Sequence, residues 1–336
     1  MMKYVKQVAL VVTGTGLLVA IFWLVGLPAI EKNLSLIGPW FPALVLLYLG
    51  AQLAFMAGWW VLMAREIRAE GFLKLFGIYM AGDAINYVLP SANLAGEPLK
   101  AHLLRDRLGF GQALTSIMIH KHAELVSQWL FLTGGLVVAL TQFDLPFSAK
   151  LFAVAVVVGL GFALLVLTRA LMKGTFSLML RRLASWKPLT ARLNQYHASA
   201  QAFEDRIQRF YRTELHKFAA STIWCLIGWG GGLIETYLIL QFLAPTKGWT
   251  TAVAVETLAM VLNNLFVFVP GRIGSAEGVR VAVFLLLGLP AAEGVAYGLL
   301  RRGRELLWTL PGFLYLLYRP TGGADAKGLI TPPSEN

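Results

Sequence analysis

The sequence predicts an all-α polytopic membrane protein, with about six to eight spans and two re-entrant helical hairpins that form an inverted repeat. Three observations predict it. Of 336 residues, 57% are hydrophobic and 14% charged, whereas an average soluble domain is roughly 25% charged. Apolar stretches near the ~20-residue length of a span recur along most of the chain. One spacing of proline, glutamate and a basic residue occurs twice, on segments whose expected directions are opposed.

The first apolar stretch, 8–27, follows Lys3 and Lys6. It exceeds the core of a signal peptide and has no small-residue exit, so it reads as a retained helix. Further apolar segments cover 41–63, 75–90, 113–140, 151–167, 218–243, 250–270, 281–290 and 291–318. The segment 75–90 is short and holds Asp83 and Asn86, and 281–290 is too short to cross alone. Cys225 is the single cysteine, which excludes a disulfide framework.

Charge position orients these segments. The formal net charge is +11, and between Arg169 and Lys217 ten basic residues stand against three acids. By the positive-inside rule this basic connecting segment, Lys3/Lys6 and the 65–74 stretch are cytoplasmic, while the turns at 28–40, 142–149 and 244–249 face out. The basic excess reads as a loop on anionic headgroups rather than a nucleic-acid arm. A single transmembrane domain over 1–320, with segment 169–217 inside it and a disordered cytoplasmic tail at 321–336, places both termini in the cytoplasm of a plasma-membrane protein.

These sides require 75–104 to enter and leave on the inner face, broken at Pro90-Ser-Ala-Asn-Leu-Ala-Gly. The stretch 250–290 does the same from the outer face, broken at Pro270-Gly-Arg-Ile-Gly. Irregular backbone is tolerated at membrane depth only where protein or a wet cavity satisfies it. The alternative, a full crossing by 250–270, leaves 281–290 non-spanning. In the first hairpin Glu97 follows Pro90 by seven residues and Lys100 follows by three more; Pro270, Glu277 and Arg280 repeat that spacing. Charged clusters then lie on both following helices, His120-Lys-His-Ala-Glu124 and Arg301-Arg-Gly-Arg-Glu305, with Glu124 27 residues past Glu97 and Glu305 28 past Glu277.

An ionisable group inside a span costs roughly 2.5–3.5 kcal/mol on insertion scales and usually faces a cavity or a partner. Candidate substrate-binding residues are therefore Asn86, Glu97, Lys100, Lys121, Glu124, Arg272, Glu277, Arg280, Arg301, Arg304 and Glu305. His120 and His122 are candidates for a proton relay, because an imidazole titrates near pH 6.5. Two readings of the cluster stand. In one, Glu124 and Glu305 pair structurally with basic neighbours; in the other, surplus positive charge on Arg301, Arg302, Arg304 and Lys121 binds a lipid phosphate through arginine's planar fork. His120, Glu124 and Gln128 are expected on one helix face, and Arg301, Arg304, Glu305 and Trp308 on another. Glu97, beside Pro98, also suits a helix cap, and Asn86, Asn93, Asn263 and Asn264 suit the broken hairpin backbone. No zinc, nucleotide or serine-hydrolase motif is present, so no metal, cofactor or catalytic residue is expected.

The stretches Asn86-Tyr-Val-Leu-Pro-Ser-Ala-Asn-Leu-Ala-Gly-Glu-Pro-Leu-Lys100 and Val269-Pro-Gly-Arg-Ile-Gly-Ser-Ala-Glu277 resemble the lysylphosphatidylglycerol synthase transmembrane, or flippase-like, family. The resemblance extends over about residues 5–320 and implies a plasma-membrane protein that handles lipids. Lys100 stands where the family more often has arginine, and no aminoacyl-transferase domain follows Pro320. Ala95-Gly-Glu-Pro is similar to the motif of hopanoid-associated members, a resemblance that implies a hopanoid rather than a phospholipid as substrate. The expected function is movement or binding of a polar or anionic lipid between leaflets, without enzymatic chemistry. The alternatives are a membrane-embedded headgroup transferase using Glu124 or His120 as base, and a non-catalytic partner that delivers lipid to a membrane enzyme.

Overall fold

The computed structural model describes residues 27–64, 68–69, 71–89, 93–173, 190–266, 269, 272 and 274–318. Outside them lie nearly all of the expected first span, Pro90 and Pro270 at the hairpin breaks, positions 174–189 of the basic segment, and the 321–336 tail.

Among the described residues every regular element is helical. In chain order they are α1 (Leu27–Ile37), α2 (Phe41–Leu62), α3 (Phe72–Val88), α4 (Gly96–Leu108), α5 (Phe110–Gln142) and α6 (Phe147–Lys173). There follow α7 (Thr190–Thr213), α8 (Leu215–Leu243), α9 (Trp249–Asn263), α10 (Ser275–Leu286) and α11 (Ala291–Tyr318). Four stretches are long and apolar enough to cross a bilayer: Glu31–Leu62, Phe110–Gln142, Phe147–Met172 and Leu215–Leu243. The 28 residues of α11 reach about 42 Å at 1.5 Å per residue, but that helix carries the arginine cluster. Phe152, Val158 and Phe162 of α6 point outward, as side chains do when lipid is the solvent. The protein is an all-α membrane protein.

Two expectations are corrected. The turn expected over 28–40 is helical: Pro28 suits a first helical turn, and the chain only tightens into a 3-10 turn over Gly38–Trp40, where Pro39 lacks an N–H for the α ladder. The basic connecting segment holds the 24-residue helix α7, whose Ile207 and Tyr211 are buried where it packs on α5, α6 and α8. As expected for a helix beginning at Ser275, α10 takes in the first part of the apolar 281–290 stretch and ends at Leu286. Its start is set by Glu277, whose Oε2 accepts the Gly274 N–H at 2.9 Å and satisfies one of the donors every helix start leaves open.

The helices α3 and α4 pack on one another, and so do α9 and α10. Their lengths of 17, 13, 15 and 12 residues correspond to about 18–26 Å, below the ~30 Å hydrocarbon core. The first pair closes because Gly96 meets Gly82 backbone to backbone; a Cβ on Gly96 would lie 2.0 Å from the Gly82 carbonyl oxygen. From α4 the chain turns into α5 across Gly109, whose φ of 72° is one that glycine adopts without strain.

Packing between the two halves is reciprocal. Helix α4 lies on α5 as α10 lies on α11, while α3 packs on α11 and α9 on α5. The most extensive interface joins α2 to α8. Each broken pair thus rests against the long helix of the other half, and the centre of the molecule lies between them.

Candidate functional site

A cavity of about 380 Å³ occupies that centre. Its walls come from α2 (Tyr48, Gln52, Phe55), α3 (Asp83, Asn86, Tyr87), α5 (Lys121, Glu124, Gln128), α8 (Trp229, Gly232), α9 (Glu256, Asn263) and α11 (Arg301, Arg304, Glu305, Trp308). Asn93 and Arg272, at the two hairpin breaks, complete it. Both have positive φ, 59° and 51°, a conformation that asparagine enters readily and arginine does not.

The α11 side holds most of the charge. Arg301 forms a short ion pair with Glu256 Oε2 and donates to Glu256 Oε1 at 3.2 Å. Glu256 Oε2 also accepts from Thr236 at 2.6 Å and from Tyr297 at 3.1 Å. One turn along α11, Arg304 lies 3.0 Å from Glu235 Oε1 through Nε and 3.6 Å from the centre of the Tyr48 ring. Arg302 grips Glu277 through Nε at 2.7 Å and Nη2 at 3.2 Å, and also contacts Tyr87. Arg280 reaches Glu305 at 2.9 Å and the Gly298 carbonyl at 3.2 Å. The register of α11 produces this: residues 301, 304, 305 and 308 share one helical face and all line the cavity.

The first hairpin is organised around its own break. Asn86 accepts the Gly96 N–H at 2.7 Å and donates to Glu97 at 3.1 Å, so it holds the start of α4. Lys100 lies 3.2 Å from Asp83 and 3.4 Å from Glu97, with its ammonium 4.6 Å from the Tyr79 ring centre. On α5, Lys121 pairs with Glu124 at 3.0 Å.

Of the predicted residues, Asn86, Lys121, Glu124, Arg272, Arg280, Arg301, Arg304 and Glu305 line the cavity. Glu97, Lys100 and Glu277 are buried behind its wall as hairpin ties. Neither candidate relay histidine reaches it. His122 bonds Tyr211 of α7 at 2.5 Å and Thr168 of α6 at 2.8 Å, and His120 is buried with Nδ1 3.5 Å from Ser221. The cavity face of α5 is Lys121, Glu124 and Gln128 rather than His120, Glu124 and Gln128.

The surplus of positive charge expected in this region is absent among the described residues. Glu235 and Glu256, which the sequence reading passed over, supply the missing carboxylates: Lys100, Lys121, Arg280, Arg301, Arg302 and Arg304 pair with Asp83, Glu97, Glu124, Glu235, Glu256, Glu277 and Glu305, and Arg272, which has no ion pair, brings the cations to the same number as the carboxylates. Each overlooked glutamate interrupts an apolar segment. That is the signal that marked Glu124, and it would have found both.

The arrangement can receive a charged or polar group without stripping it of partners. The model for the lysylphosphatidylglycerol synthase TM region matches residues 7–312. The chain belongs to this family. A UPF0104 membrane protein of Pyrococcus horikoshii is 21% identical over 318 residues, 88% of this chain and 92% of the relative. A second UPF0104 membrane protein, from Methanothermobacter thermautotrophicus, is 22% identical over 317 residues, 88% of this chain and 90% of the relative. No solved structure matches. The match to the synthase TM region spans both hairpins and every residue of the cavity wall.

Proposed function

We propose that this family member carries or binds a polar lipid headgroup, anionic ones included, between leaflets of the plasma membrane, with both termini in the cytoplasm. The observation that supports it is the central cavity, walled by paired charges and placed between two helix pairs each too short to cross alone. A headgroup inside it would exchange water for fixed ionic partners while the acyl chains stay in lipid. The reciprocal packing of α3–α5 and α9–α11 fits an inverted repeat of re-entrant hairpins, the arrangement in which a site near the midplane is alternately reached from either side. A headgroup transferase would need a base on the cavity wall; His120 lies off it, and Glu124 is held by Lys121.

The test is leaflet exchange of fluorescent lipids in vesicles reconstituted with the purified chain. Exchange faster than in protein-free vesicles is expected for at least one headgroup class. Equal rates across all classes would overturn the proposal.

A further inference from the structure

The charges around the cavity balance as a whole but not locally. At the first hairpin and α5, three carboxylates (Asp83, Glu97, Glu124) face two ammonium groups (Lys100, Lys121). At the second hairpin and its α8, α9 and α11 partners, five guanidinium groups (Arg272, Arg280, Arg301, Arg302, Arg304) face four carboxylates (Glu235, Glu256, Glu277, Glu305). The first-hairpin and α5 side chains therefore carry an excess negative charge, and those of the second hairpin and its partners an excess positive one.

The groups that carry each excess are turned toward the cavity. Lys100 is shared between Glu97, whose side chain is 4% exposed, and Asp83, which is 31% exposed; Asp83 is the carboxylate with an open side. Glu124 is 26% exposed on the same cavity. In the positively charged group, the Arg272 side chain makes no hydrogen bond or ion pair with any described residue, although it lines the cavity. Its backbone is fixed, since the carbonyl accepts from Arg302 at 2.8 Å, and its φ of 51° is one a non-glycine residue adopts at a cost. A guanidinium held in this way is ready for an oxyanion. The rings of Phe55 and Trp229 pack edge to face at 5.1 Å and line the same cavity as Glu124, and aromatic rings with a carboxylate suit an ammonium group.

We propose that the chamber takes a zwitterionic headgroup, its phosphate on Arg272 and its ammonium toward Asp83 and Glu124. This rests on the lipid reading above and narrows it. A net anionic headgroup would satisfy Arg272 and leave the excess carboxylate of the first hairpin and α5 unmatched. A zwitterion neutralises both excesses at once.

The test measures binding to the purified full chain in detergent by calorimetry, with short-chain phosphatidylethanolamine, short-chain phosphatidylglycerol and soluble phosphoethanolamine as probes. Phosphatidylethanolamine is expected to bind about tenfold tighter than phosphatidylglycerol. Arg272→Gln and Asp83→Asn are each expected to weaken phosphatidylethanolamine about tenfold, with Arg272→Lys retaining more of the affinity than Arg272→Gln and Asp83→Asn narrowing the preference for phosphatidylethanolamine over phosphatidylglycerol. Should Arg272→Gln fail to fold, the wild-type preference and Asp83→Asn still decide. Phosphatidylglycerol binding as tightly as phosphatidylethanolamine, or an indifferent Asp83→Asn, would overturn the zwitterion assignment and leave lipid handling standing. Phosphoethanolamine matching the lipid would overturn the lipid source, and no binding of any probe to folded protein would overturn both readings.

Discussion

Arg302 holds Glu277 through two guanidinium nitrogens, at 2.7 and 3.2 Å, while Glu277 Oε2 accepts the Gly274 N–H at 2.9 Å. One carboxylate thus caps α10 and fastens it to α11. The second hairpin owes its position to that double use.

Removing either partner strands the other in a buried site, which costs about 3–5 kcal/mol when a buried pair is broken from one side. Arg302→Ala and Glu277→Ala are both expected to lower the melting temperature in detergent. Glu277→Gln, which keeps an oxygen for the cap, is expected to lose less than Glu277→Ala. Equal melting of Glu277→Ala and wild type would show that the pair does not hold the hairpin.

Arg301 and Glu256 are a second buried pair, with side chains 12% and 7% exposed. Arg301→Met leaves Glu256 with only Thr236 and Tyr297 as donors. The double variant Arg301→Met/Glu256→Gln removes both charges. It is expected to be more stable than Arg301→Met alone, with a coupling of about 1–3 kcal/mol in a double-mutant cycle. Additive effects in denaturant unfolding would contradict direct pairing.

Gly96→Ala forces a methyl group to 2.0 Å from the Gly82 carbonyl oxygen, whereas Gly134 has nothing within 4 Å of its added Cβ. The α3–α4 pair would have to part to admit it. A loss of about 1–3 kcal/mol or more is expected for Gly96→Ala from overpacking. Gly134→Ala, by contrast, is expected to be neutral or slightly stabilising, since alanine favours a helix. Thermal unfolding of the two variants side by side checks the contrast.

Gly232 lines the cavity, and a Cβ there would meet Glu256 at 3.4 Å and Arg301 at 3.7 Å, ordinary contact distances. Alanine fits. Gly232→Trp projects a large ring into a chamber of about 380 Å³ and is expected to block lipid exchange in reconstituted vesicles at least tenfold while the protein elutes as wild type. Undiminished exchange by folded Gly232→Trp would place the lipid path elsewhere.

The legible part of the site was the part written in single residues. Arg301, Arg304, Glu305, Lys121 and Glu124 each break an apolar run and line the cavity. Glu235 and Glu256 break apolar runs too, yet they escaped attention because neither belongs to the repeated motif. His120 and His122 stood as relay candidates from their place in the cluster, with His120 expected on the face of Glu124 and Gln128. Helical rotation turned them to other faces, one toward Ser221 and the other toward Tyr211. The helix α7 was hidden inside a charge-rich segment, since its few buried side chains, Ile207 and Tyr211 among them, have no meaning until α5 and α6 are present to cover them.

By itself the sequence determined that this chain is an α-helical membrane protein with two interrupted segments. Apolar run length, broken backbone and the penalty on a charge in lipid are local properties that can be read along one dimension. Only the tertiary structure decided which carboxylate meets which guanidinium, that Glu97, Lys100 and Glu277 tie the hairpins instead of lining the chamber, and that, among the described residues, the Arg272 guanidinium lines the chamber without an ion pair while Arg280, Arg301 and Arg304 each have one. Those outcomes depend on contacts between residues far apart in the chain, such as Tyr87 with Glu305 at 3.4 Å, whose geometry is set by how the helices cross.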